Sequence, residues 1–214
     1  MEKRAYTTAD RLLLGIDQAL RTLFGQPQAT ERVNPAKGVP EADLSAEQRT
    51  EVARLIRIDH SGEVCAQALY QGQALTARLP QVRASMQRSA KEESDHLDWC
   101  HSRLVELQDR RSLLNPLWYA GSFAIGASAG LAGDKWSLGF IAETEKQVCA
   151  HIDDHLRRIP AQDRKSRAIL EQMKEDEQHH ADLATAGGGA PLPAPFKVAM
   201  QLTARLMTGT TYWL

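Results

Sequence analysis

The sequence predicts an all-α fold, a bundle of four long helices with shorter ones around it. Three observations carry this reading. No run of alternating Val, Ile and Thr marks a strand, and Ala, Leu, Arg, Glu and Gln fill the long stretches, as helices favour. Proline and glycine gather at a few places and cut the chain into pieces of helical length. The 214 residues give room for one domain with a substantial core, or two small ones.

The elements follow in order. Residues 1–44 are read as an N-terminal helix and a loop, and 45–214 as the main domain. The loop, 25–45 (GQPQATERVNPAKGVPEADLS), holds three prolines. Ser45 with Gln48 forms a capping box that opens a helix running to about Arg78, where Pro80 interrupts it. Pro80 suits the first turn of the next helix, expected to reach about Arg111, ahead of Asn115-Pro116. A third helix is expected over 136–158, ending at Ile159-Pro160, and a fourth over 161–185. Residues 187–195 (GGGAPLPAP) read as a linker, and a last helix runs from Phe196 to about Met207.

Composition excludes some functions. Lys+Arg 26 against Asp+Glu 27 leaves a net charge of -1, without the basic excess that non-specific nucleic-acid binding needs, so no nucleic-acid partner is expected. Cys65, Cys100 and Cys149 are odd in number and lack a CxxC, which argues against a disulfide scaffold or a zinc ribbon and for reduced thiols. The N-terminus does not read as a secretory signal.

Residues 112–133 (SLLNPLWYAGSFAIGASAGLAG) carry no charge. The run has the length of a spanning helix but is diluted by Gly, Ser, Asn and Pro. Three readings stand: a tightly packed bundle helix, a segment lying in or dipping into a membrane surface, and a true span. The C-terminal FKVAMQLTARLMTGTTYWL suits an interfacial helix or packs on the bundle.

Acids and histidines at helical spacing carry the chemistry. Glu93 and His96 make one ExxH motif and Glu177 and His180 a second, each placing a carboxylate and an imidazole on one helix face. One such motif means little, because Glu and His are common on solvated faces. Two copies on separate helices, each preceded by a helix with a further glutamate, mean more. Glu63 stands thirty residues before Glu93; Glu145 and Glu143 stand thirty-two and thirty-four before Glu177. The intervals favour Glu145. Both segments contain Val-Cys-Ala, a hint of an internal repeat, but aligning on it sets Gln147 opposite Glu63 and keeps Glu143 open.

Glu, ExxH, Glu, ExxH on four helices is the arrangement of ferritin-like dinuclear carboxylate proteins. Four carboxylates bring -4 and two divalent ions +4, so the buried site becomes neutral; unfilled, the carboxylates repel and take up protons. Carboxylate and imidazole donors suit iron or manganese. His60, three residues before Glu63, and His151, six after Glu145, are read either as partners of the ligands or as ordinary satisfied histidines. Asp95 and Asp176 adjoin the ligand face without sharing it. His179 misses the Glu177 register and pairs with Asp176 as DxxH, a weaker ligand. Cys65 and Cys149 are read as packing residues.

With RIDHSGEVCAQALYQGQ, KEESDHLDW, the segment through GLAGDKWSLGF, AETEKQVCAHIDDHL and MKEDEQHHADLA, residues 45–214 resemble the demethoxyubiquinone hydroxylases of ubiquinone biosynthesis. The resemblance implies a ferritin-like di-iron monooxygenase that uses O2 to hydroxylate the ring of demethoxyubiquinol. Its two iron ions would sit on Glu63, Glu93, His96, Glu145, Glu177 and His180, with Glu93 and Glu177 bridging. Such a substrate carries a long isoprenoid tail, so the resemblance also implies contact with the membrane surface and other ubiquinone-biosynthesis proteins as partners. The expected place is the cytoplasmic side of the cell membrane, as a peripheral protein. Other dinuclear proteins (iron storage, manganese catalase, peroxidase) leave the uncharged segment without a purpose. A metal-free quinone- or lipid-binding protein leaves the four acids and two histidines without one.

Overall fold

The four long helices of the computed structural model are α2 (Ala46–Thr76), α3 (Pro80–Glu106), α5 (Asp134–Arg158) and α6 (Arg164–Ala186). The structure describes residues 7–25, 30 and 32–214, and among these every regular element is α-helical. Short links join α2 to α3 and α5 to α6, so each pair is an antiparallel hairpin, and the two hairpins face each other through α2–α5 and α3–α6 contacts. Three further helices surround this bundle: α1 (Thr8–Phe24), α4 (Asn115–Leu131) and α7 (Ala194–Thr211). Residues 26–29 and 31 of the expected 25–45 loop lie outside the described residues.

Helix ends follow local chemistry, and several differ from expectation. The Ser45–Gln48 capping box is present. However, α2 stops at Thr76 rather than Arg78, because Ala77 and Leu79 adopt extended backbone ahead of Pro80. The Arg78 and Leu79 amides donate to the Asp134 carboxylate instead. Helix α3 stops at Glu106 rather than Arg111. Gln108 takes φ +61°, and bonds from its amide to Val105 O and from the Asp109 amide to Leu104 O close a Schellman turn. Helix α6 begins at Arg164 rather than 161, with the Asp163 carboxylate accepting from the Ser166 amide. Helix α7 is longer than expected at both ends, starting within the supposed linker at Ala194.

The uncharged segment forms α4, which lies along α2. A Cβ on Gly126 would collide with the Leu69 carbonyl, and one on Gly72 with the Phe123 carbonyl, so glycine sets this close approach. Its 17 residues would span only about 25 Å, short of the ~30 Å hydrocarbon core. Among the described residues no helix is long and apolar enough to cross a membrane, and the spanning reading is dropped.

Two apolar clusters fill the bundle at different levels. One gathers Val52, Leu55, Trp99, Ile152, Leu170 and Met173; the other Tyr70, Val82, Met86, Leu138, Ile141 and Ala184. On each of the four helices the six candidate ligands lie between these levels. That placement matters energetically. Removing an ion from water costs several kcal/mol, roughly, whereas a fully buried Leu or Ile contributes about 1.5–3 kcal/mol. Apolar layers above and below both offset the buried charge and keep water out of it.

Candidate metal centre

The bundle brings the six residues together. Glu63 comes from α2, Glu93 and His96 from α3, Glu145 from α5, and Glu177 and His180 from α6. All six are at most 3% exposed, a depth at which unpaired ionisable groups are not stable. Their ligand atoms fall into two overlapping groups, each with all atoms within 4.8 Å of one another: Glu63, Glu93, His96 and Glu177, and Glu93, Glu145, Glu177 and His180. Glu93 and Glu177 belong to both.

The imidazoles are oriented for ligation. His96 Nδ1 lies 3.2 Å from Glu93 Oε2, 3.2 Å from Glu177 Oε1 and 3.5 Å from Glu63 Oε2. His180 Nδ1 lies 3.2 Å from Glu177 Oε2 and 3.2 Å from Glu93 Oε1. Among the described residues Glu63 Oε2 and Glu93 Oε1 are buried and make no well-formed hydrogen bond. Convergent acceptors, two of them orphaned, and ring nitrogens aimed at the same space make a donor set that fits a cation. These buried carboxylate and histidine groups could bind metal.

Electrostatics agree with that fit. Burial, then the charges of Glu93 and Glu177, push Glu63 well above the usual carboxylate range. Burial and the same two glutamates do so for Glu145. Burial also acts to raise Glu93, but its contacts with His180 and His96 outweigh it and hold this carboxylate low. Burial disfavours a charged ring at His180, yet its close contacts with the Glu177 and Glu93 carboxylates push it up to about 12. His96 is raised likewise, against its burial, by Asp176, Glu177, Glu63 and Glu93. Protons here balance charge that divalent ions balance equally well.

The outer nitrogens are braced across the bundle. His96 Nε2 meets Asp176 Oδ2 at 2.8 Å, and His180 Nε2 meets Glu92 Oε2 at 2.7 Å. Each brace immediately precedes the shared glutamate of its own motif and reaches the histidine of the other. Fixing the outer nitrogen fixes the ring and leaves Nδ1 for the centre. Sequence reasoning singled out Asp176 and missed Glu92; the acid preceding each ExxH glutamate was the available signal. Tyr70, also missed, donates its hydroxyl to Glu145 Oε1 at 2.5 Å.

Other candidates lie elsewhere. Glu143 pairs with Lys197 at 2.8 Å and stands outside both groups, so the cluster takes Glu145. Asp95 accepts from the Thr30 amide and hydroxyl. His60 is buried against His101 and Asn115, and His151 packs on His155; neither touches the six. His179 is exposed. The three cysteines are free thiols, and burial pushes Cys65 and Cys149 up to about 11, as inert packing residues require. A surface cleft of about 620 Å³ is lined by Arg49, Arg54, Arg57, Arg110 and Trp213 among others and contains none of the six.

A four-helix bundle that draws Glu, ExxH, Glu and ExxH into its core defines the ferritin-like carboxylate class. Within that class the match is specific. Residues 50–211 match the model of the family described as Ubiquinone biosynthesis protein COQ7, and the chain belongs to that family. It is 56% identical to the 3-demethoxyubiquinol 3-hydroxylase of Nitrosococcus oceani over the whole of both chains. It is 58% identical to the protein so named in Azotobacter vinelandii, over 98% of both chains. Against that of Nitrosomonas europaea it is 57% identical over 96% of this chain and 98% of the relative.

Proposed function

We propose that this chain hydroxylates the ring of demethoxyubiquinol with O2, a late step of ubiquinone biosynthesis, at a centre of two iron ions. The observation that carries the reading is the pair of overlapping ligand groups sharing Glu93 and Glu177, in a chain so similar throughout to named hydroxylases. Glu63 and His96 would hold one ion and Glu145 and His180 the other, with Glu93 and Glu177 available to both. Bound there, ferrous iron supplies the activation of O2 that ring hydroxylation needs.

The protein's own residues position and insulate. Asp176 and Glu92 keep each imidazole in the orientation that presents Nδ1. Tyr70 holds Glu145 through a hydroxyl proton, and burial beside Glu145 raises the phenol so that it stays protonated. The apolar layers exclude water, which protects an electron-rich ring reaction from side products. A small recess lined by Tyr70, Phe140, Ile141 and Glu145 among others holds about 10 Å³, room for one water molecule, so a ring would enter there only if these side chains moved apart.

A tailed quinol resides in a bilayer, so the protein works as a peripheral protein on the cytoplasmic side of the cell membrane, beside other proteins of the same biosynthesis. Supporting this, α4 and α7 leave Leu117, Ile125, Phe196, Leu202 and Leu206 exposed. Mass spectrometry of quinones after incubating iron-loaded, reduced protein with demethoxyubiquinol and isotopically labelled O2 tests the proposal. It requires a product carrying one labelled oxygen; oxygen consumption without labelled product would contradict it.

A further inference from the structure

A second cluster of ligand-type side chains lies one turn along α2 from Glu63. Asp59 of α2, 4% exposed, faces His151 and His155, which stand four residues apart on one face of α5. His155 is fully buried, and its Nδ1 sits 2.9 Å from Asp59 Oδ1 and 3.0 Å from Oδ2. The two imidazole centroids are 4.0 Å apart. One ligand atom from each of the three residues lies within 4.8 Å of the others, and none belongs to the six-residue centre.

The hydrogen bonding is incomplete. Nε2 of His155 and Nε2 of His151 are both buried with no hydrogen-bond partner among the described residues. A cluster that served only to pack α2 on α5 would leave two such nitrogens unsatisfied, at about 1–3 kcal/mol each. An ion taken up by His151 through Nε2 would give that nitrogen the partner it lacks. His151 is half-buried, so one side of the cluster opens toward solvent. Burial and the neighbouring His155 also hold its ring below the ordinary imidazole value, which leaves it neutral, as a ligand must be.

We propose that Asp59, His151 and His155 form a separate mononuclear site for a borderline divalent transition metal of the zinc type. Two imidazole nitrogens and one carboxylate oxygen are the protein ligands such an ion accepts, with water in the remaining position. The Asp59–His155 pair is at hydrogen-bond distance, so an ion would displace the shared proton and spread the two atoms by roughly a few tenths of an ångström, while the half-buried His151 ring closes in. Filled, the site ties α2 to α5, the helices that carry Glu63 and Glu145, and so stiffens the frame of the six-residue centre without joining it.

Zinc is the probe. Iron-loaded protein is equilibrated with micromolar free Zn²⁺, passed through a desalting column and assayed for both metals, alongside the His151→Ala variant. Wild type is expected to keep about one zinc ion per chain with its iron unchanged, and the variant to lose that zinc by about tenfold while keeping its iron. Retained iron shows that the variant is folded. A zinc-dependent rise in thermal midpoint is expected in wild type alone. Wild type without zinc, equal zinc in both proteins, or zinc gained only as iron is lost would each overturn the proposal.

Discussion

The two hairpins present nearly the same chemistry, yet they hold it differently. In the first, Glu63 ends in an oxygen that makes no well-formed hydrogen bond among the described residues; in the second, Glu145 is held by the Tyr70 hydroxyl beside the recess. The braces differ in the same way. Asp176, which orients His96, is itself gripped by Arg32 at 2.6 Å and Gln172 at 3.1 Å. Glu92, which orients His180, has a side chain 35% exposed and no second partner among the described residues. The first hairpin also buries His60 where the second, aligned by Glu63 and Glu145, has Ala142. Matched candidate ligands within unmatched supports mean that the two proposed metal positions would share a charge requirement but not a rigidity.

The largest effect should come from a residue common to both positions. Glu177→Ala is expected to abolish hydroxylation and remove most of the iron, at least about tenfold by metal analysis. Full occupancy in that variant would make the halves independent. Next, Glu145→Ala should lower iron content and turnover far more than Glu143→Ala, since Glu143 is engaged by Lys197 and Gln147 away from the centre; the opposite ranking would move the second ligand by two positions. Third, Asp176→Asn should weaken iron binding by about 10- to 100-fold, and Glu92→Gln by nearer the lower figure. Equal losses in the two variants would erase the difference in bracing.

The smallest effect concerns His60. Burial, then Arg111 and His101, push its ring down to about 3, from an ordinary value of 6.5. Folding therefore favours the neutral ring: its contribution is complete above pH 6.5 and is lost as pH falls toward 3. Thermal midpoints of metal-free protein should fall on acidification through that window, and His60→Gln should flatten the decline. An unchanged slope would remove His60 from the account.

The sequence revealed ligands better than supports. The six residues that converge were legible because i, i+3 spacing is a property of a single helix and the two intervals near thirty residues are properties of single hairpins. Tyr70, Glu92 and Arg32 act across helices, and their partners appear only once the hairpins face each other. Boundaries behaved likewise. The Ser45 cap is a local signal, but the left-handed Gln108 that ends α3 bears no glycine to announce it. The uncharged run read equally well as a packed or a membrane-facing segment, and the α2 contact at Gly72 and Gly126 accounts for its small residues.

The central claim is that Glu93 and Glu177 join two ligand groups into one dinuclear site. Iron analysis with Mössbauer spectroscopy of the iron-loaded protein tests it most directly. About two iron ions per chain, forming a magnetically paired centre, are expected from four carboxylates and two imidazoles in this arrangement. A single isolated iron per chain, or two that do not interact, would contradict it.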